Sequence, residues 1–223
     1  MNRPQPLWIG RNVDSSGTSV IGDFNGTVQK TLPDYVPVEG GHLTLLARGL
    51  PPYGSEKRSS VLKALANELT TPESLSPLDV ETIELRYYGG RAGRMSLALT
   101  VRCPDSYDFG RMENIVLTDK TYPRNPIDPH ITIGRLPEGH ATTGLLKRLN
   151  AALSFQPLTL ERVTHTSHYP PDHRDLQREI DDRLARQRPP IKARAEQAML
   201  DPAAVRTIRP GSIPSVLLHS LRP

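Results

Sequence analysis

One four-residue unit occurs twice in this chain. His42-Leu43-Thr44-Leu45 returns 88 residues later as His130-Ile131-Thr132-Ile133. Both read His, apolar, Thr, apolar. A period of two is the signature of a half-buried strand, because residues i and i+2 project from the same face. His42 and Thr44 therefore project together while Leu43 and Leu45 pack behind them, and the same holds for His130 and Thr132 against Ile131 and Ile133. Each strand offers one imidazole and one hydroxyl to a cleft, on an apolar backing.

The flanking sequence builds a similar frame around each tetrad. After the first, Ser55 is a helix cap, and Val61, Leu62, Leu65, Ala66 and Leu69 make an apolar stripe of helical period up to residue 69. Strands are expected over 78–88 and 94–101, joined by the glycine-rich turn 89–93, and a short helix within 106–117. After the second tetrad, Thr142 to Leu153 reads as an amphipathic helix and Leu158 to Val163 as a strand. The fold class expected is α+β, bilobal, with two pseudo-symmetric sheet-plus-helix halves around a central cleft. Its bounds are 36–170. Residues 1–35 read as an N-terminal extension with a hairpin over 20–28, centred on Asn25-Gly26. Residues 171–223 read as a charged, partly helical C-terminal extension.

Bulk properties narrow the classes. The 22 prolines in 223 residues disfavour a mostly helical fold. A net charge of +4 suits a phosphate-bearing partner without demanding one. The one cysteine, Cys103, permits no intrachain disulfide and fits a reducing, cytoplasmic setting. Residues 1–10 lack a signal-peptide pattern, and no apolar run approaches the ~18 residues of a membrane span.

The tetrads carry chemistry that phosphodiester cleavage needs. One group must take the proton of the attacking oxygen, and another must protonate the leaving oxygen. An imidazole, with an ordinary pKa of roughly 6.5, does either near neutrality. Threonine hydroxyls can donate to the non-bridging phosphate oxygens. The His-x-Ser/Thr spacing alone is not selective: four of the seven histidines have it, namely His42, His130, His140 and His165. Apolar residues at both flanking positions distinguish His42 and His130. His140 stands at a helix approach and His165 in a polar strand end.

On these residues the sequence resembles the 2H phosphoesterase superfamily, named for its two His-x-Thr/Ser motifs, over roughly 36–165. The resemblance implies that His42 and His130 are the catalytic pair and that Thr44 and Thr132 bind phosphate. It also implies a metal-independent phosphodiesterase that uses no cofactor. Its partner would be a nucleotide or oligonucleotide substrate: a 2′,3′-cyclic phosphate, a cyclic oligonucleotide messenger or an RNA end. A nucleotide-binding module without turnover is the alternative. No membrane partner is expected, and the oligomeric state is left open.

Arg48 and Arg135, each shortly after a tetrad, are candidate phosphate contacts. Tyr122, Tyr53, Tyr35 and Trp8 are candidate cleft-border rings. His165 and His168 with Asp172 or His173 make only a loose metal-type spacing, and no metal is expected.

Overall fold

The computed structural model describes residues 7–89, 93–116 and 128–187. The elements follow the order β1 (Leu7–Asn12), α1 (Ser15–Thr31), β2 (Val36–Pro37), β3 (His42–Arg48), α2 (Glu56–Leu69), α3 (Pro72–Leu75), β4 (Leu78–Tyr88) and β5 (Arg94–Arg102). They continue with α4 (Arg111–Val116), β6 (His130–Pro137), α5 (Thr143–Ala152), β7 (Leu158–Leu160), β8 (Thr164–Ser167) and α6 (Pro170–Gln187). The chain divides into two compact units, Met1–Arg183 and Leu184–Pro223, and the sheet lies in the first. Among the described residues no helix is long and apolar enough to cross a membrane.

The protein is α+β. Its strands run in the order β7-β4-β5-β6-β3-β1-β8, with β2 added beside β6, and every pairing is antiparallel. The sheet curls, because Val13 at the end of β1 bridges to Leu160 of β7 at the far side. The two halves, β7-β4-β5-β6 and β3-β1-β8, join edge to edge where Leu43 pairs with Ile131.

Register explains the core. Leu43 stands opposite Ile131, Ile131 opposite Leu99, and Leu99 opposite Leu85. This row of four side chains crosses four strands, and all four are fully buried. At about 1.5–3 kcal/mol per buried aliphatic side chain, the row anchors the middle of the sheet strongly.

The expected hairpin over 20–28 is a helix. Asp14 caps α1, its carboxylate accepting from the Gly17 amide at 2.8 Å. Ile21, Phe24, Asn25 and Val28 recur at helical spacing and are all buried. Gly22 and Gly26 cost a helix roughly 1 kcal/mol each, and that burial outweighs them. Asn25 is no turn residue: its side-chain oxygen accepts from the Tyr35 hydroxyl at 2.6 Å, inside the core. Residues 7–31 thus supply a strand flanked by partners on both edges and a packed helix.

The charged segment from 170 is helix α6, with Asp172, Leu176 and Ile180 buried. Asp172 pairs with Arg58 of α2 at 2.6 Å, and both are nearly inaccessible.

Candidate active site

The antiparallel register through Leu43–Ile131 sets the four tetrad side chains in a square. One step to either side, it puts His42 across from Thr132 and Thr44 across from His130. The histidines occupy one diagonal and the threonines the other. Cross-strand neighbours in such a ladder stand ~5 Å apart and diagonal ones ~7–8 Å. All four side chains are half-buried, while Leu43 and Ile131 seal the face behind them.

Each histidine leans on an aromatic ring. The Trp8 and His42 rings are perpendicular, with centroids 5.1 Å apart. Tyr88 stacks on His130 at 4.0 Å. The Nδ1 of His130 lies 2.9 Å from the Asp128 carbonyl oxygen. A carbonyl only accepts, so Nδ1 carries a proton and Nε2 is left to exchange one with a substrate. His42 is held below the ordinary imidazole pKa, first by burial and then by the nearby His130 charge. It is therefore neutral, and able to accept a proton, at neutral pH.

The arginine candidates separate. Both tetrads run into a register shift: Ile9 pairs with Leu46 but Gly10 with Thr44, and Leu97 pairs with Gly134 but Ala98 with Thr132. The extra residue in each reverses the alternation beyond the tetrad. Arg135, opposite Ser96, thus returns to the histidine face, where it is exposed. Arg48, opposite the buried Leu7, falls on the other face, and its Nε donates to Glu113 of α4 at 3.1 Å. Arg48 is a structural ion pair and is not brought to the site.

The aromatic candidates separate as well. Trp8 lies in strand β1, beside His42. Tyr35 is buried under Gly134, on which a Cβ would collide with its ring, so it belongs to the core. Tyr53 covers the Arg58 guanidinium at 4.2 Å and donates to Asp175 at 3.0 Å, at the α2–α6 contact. Tyr122 lies outside the described residues. His165 stacks on His173 at 4.8 Å, and among the described residues no three His, Cys, Asp or Glu side chains are grouped to hold a metal ion.

Sequence reasoning missed Tyr88 and Arg86. Arg86 stands opposite Ala98, which stands opposite Thr132, so its guanidinium shares the histidine face. It pairs with Glu84 at 2.7 Å and lies 3.6 Å from the carboxylate of Asp128. The alternation of β4 carried the signal, for Glu84, Arg86 and Tyr88 have one parity. Only the register tells which parity faces the histidines.

No family model matches the sequence, and no curated protein is similar to it in sequence. Solved structures are similar in overall fold. Usb1 of Kluyveromyces marxianus matches 74% of this chain and 94% of its own, at 12% identity and a TM-score of 0.46. TT0787 of Thermus thermophilus matches 72% and 84%, at 16% identity and 0.43. LigT of E. coli matches 74% and 95%, at 15% identity and 0.37.

Proposed function

We propose that this protein is a metal-independent phosphodiesterase in which His42 and His130 act as an acid–base pair on a nucleotide phosphodiester. The observation that carries the reading is the diagonal square of His42, Thr44, His130 and Thr132 on one face of the sheet. A phosphorus undergoing in-line attack has its entering and leaving oxygens at opposite ends of one axis and three oxygens around its equator. The histidine diagonal matches the axis, and the threonine diagonal matches the equator.

In this reading neutral His42 takes the proton of the attacking oxygen as the new P–O bond forms. The Nε2–H of His130 protonates the oxygen whose bond to phosphorus breaks. The Thr44 and Thr132 hydroxyls donate to non-bridging oxygens, whose charge grows in the transition state. One proton is taken up and one given per turnover, and exchange with water restores the pair. Arg135 places positive charge beside the Thr132 corner, whereas the charge of Arg86 is met by Glu84 and Asp128. The substrate class is a 2′,3′-cyclic phosphate or a cyclic oligonucleotide, whose phosphate charge Arg135 would meet.

The experiment is a product screen in excess EDTA against 2′,3′-cyclic mononucleotides, RNA ending in a 2′,3′-cyclic phosphate, and cyclic di- and trinucleotides. Cleavage is expected of at least one, with a loss of about 10²–10⁴-fold in His42→Ala or His130→Ala. Full activity in either variant, or abolition of wild-type activity by EDTA alone, overturns the mechanism. Tight stoichiometric binding without product identifies a sequestering module instead.

A further inference from the structure

Several hydroxyl groups line the histidine face, and their hydrogens are not equally available. Thr100, opposite His130, donates its hydroxyl to the Glu84 carbonyl at 3.1 Å. Thr164, opposite Gly10, donates to the Gly10 carbonyl at 3.4 Å. Both hydrogens are spent on the backbone. Thr44 differs, because its oxygen receives: the indole Nε1–H of Trp8 donates to Thr44 Oγ1 at 3.3 Å. A hydroxyl has one hydrogen and two acceptor sites. With an N–H seated on one acceptor site, the Thr44 hydrogen turns away from the indole, toward the open side where a phosphate oxygen would sit.

The strand is shaped to allow this contact. Trp8 stands opposite Ala47, two pairs beyond Gly10, the residue that faces Thr44. To reach Thr44 its ring must lie back along β1, over residue 10. That residue is glycine, and a Cβ there would sit 2.4 Å from Trp8 Cζ2 and 2.6 Å from the Leu43 carbonyl. Gly10 gives the indole its place. The same ring stands perpendicular to His42 at 5.1 Å, where it limits how the imidazole can turn.

We propose that Trp8 is a positioning residue: its indole N–H aims the Thr44 hydroxyl at the phosphate, and its ring fixes the orientation of His42. The role rests on the phosphodiesterase reading above. It places one hydrogen bond of transition-state stabilisation under the control of a residue that need not touch the substrate.

Two measurements test it. This is the only tryptophan in the chain, so its indole N–H gives a single resonance in a proton–nitrogen correlation spectrum. Thr44→Val should move that resonance upfield and speed its exchange with water, and Thr132→Val should leave it in place. An unmoved resonance in Thr44→Val overturns the contact, whether or not any variant is active. The second measurement is a double-mutant cycle with a 2′,3′-cyclic uridine phosphate. Trp8→Phe keeps a ring and removes the N–H. It should lower kcat about 5–10-fold with KM nearly constant, the size of one neutral hydrogen bond. It should cost little more in a Thr44→Val background, yet multiply with Thr132→Val. An equal loss with and without Thr44 refutes the positioning role while leaving the histidine mechanism standing. If the wild type cleaves no phosphodiester, the phosphodiesterase reading fails and this role falls with it.

Discussion

Arg11 offers the sharpest test of how the sheet is held. It sits on β1 opposite Leu43, on the core side, and is 0% exposed. Nη1 donates to the carbonyls of Ser76 at 2.7 Å and Glu161 at 3.0 Å, Nη2 to that of Glu73 at 2.6 Å, and Nε to the Tyr107 hydroxyl at 3.3 Å. One side chain thus ties β1 to the segment before β4, the segment after β7 and the loop before α4. Arg11→Met keeps the aliphatic stem and removes every donor. Hydrogen bonds from a charged donor are worth about 1.5–3 kcal/mol each, and three carbonyls would lose theirs. Release of the guanidinium's own desolvation cost offsets part of this. A net loss of about 3–5 kcal/mol remains, because each buried carbonyl left without its donor costs about 1–3 kcal/mol. Urea denaturation followed by circular dichroism reads it as a lower midpoint at unchanged slope. Arg11→Lys should recover only part, because one ammonium cannot span carbonyls on separate segments. A loss under about 1 kcal/mol in Arg11→Met refutes the view that these bonds hold the loops to the sheet.

Three further outcomes follow from individual groups. His165, between β1 and α6, is pushed down to about 4 by burial and by His173, with Asp181 opposing. The folded ring therefore stays neutral where the unfolded one protonates. Stability is complete above about pH 6.5 and declines as pH falls toward about 4, by at most about 3 kcal/mol and less after allowance for its partial exposure. His165→Phe should flatten that decline, and an unchanged acid limb of the pH–stability curve counts against it. Protonated imidazole quenches a neighbouring indole, so Trp8 fluorescence should titrate with His42 at a midpoint below about 6.5 and lose the transition in His42→Gln. A midpoint at or above about 6.5 contradicts the lowered proton affinity of His42. Tyr88 stacks on His130 with its hydroxyl buried and without a partner among the described residues. Tyr88→Phe should hold stability or raise it by up to about 1 kcal/mol, and a clear loss in thermal melts would reveal a partner for the hydroxyl.

Much of the frame was legible because it is local. Ser55 caps α2 through the Arg58 amide, and Val61, Leu62, Leu65, Ala66 and Leu69 are buried as their spacing implies. Strands β3, β4, β5 and β6 begin at or beside their expected residues. The helix over 15–31 was not legible, because Asn25-Gly26 is a strong local turn signal and only the core shows Asn25 bonded to Tyr35. The split between Arg48 and Arg135 depends on bulges, which shift the alternation without a marker in the sequence. Trp8, Arg86 and Tyr88 reach the site from β1 and β4, strands that β3 and β6 meet only through the sheet order. No pattern within a single segment encodes that order.

The doubling of the tetrad has a geometric consequence that two unrelated strands would not share. Equal units laid antiparallel and centred on their second residues must place like side chains on a diagonal. The centring is what matters. A slip of two residues would set His42 directly across from His130, ~5 Å away, with both threonines displaced outward. A slip of one would turn one tetrad's histidine and threonine into the core. Leu43 and Ile131, fully buried at the pairing point, oppose the second slip, since it would expose an apolar side chain and bury a polar pair. The pairing of β2 with β6, Val36 opposite Arg135 and Pro37 opposite Gly134, opposes the first, because only residues 38–41 separate β2 from β3. The apolar residue inside each tetrad is therefore as necessary to the site as its histidine: it sets the diagonal on which the histidines face one another.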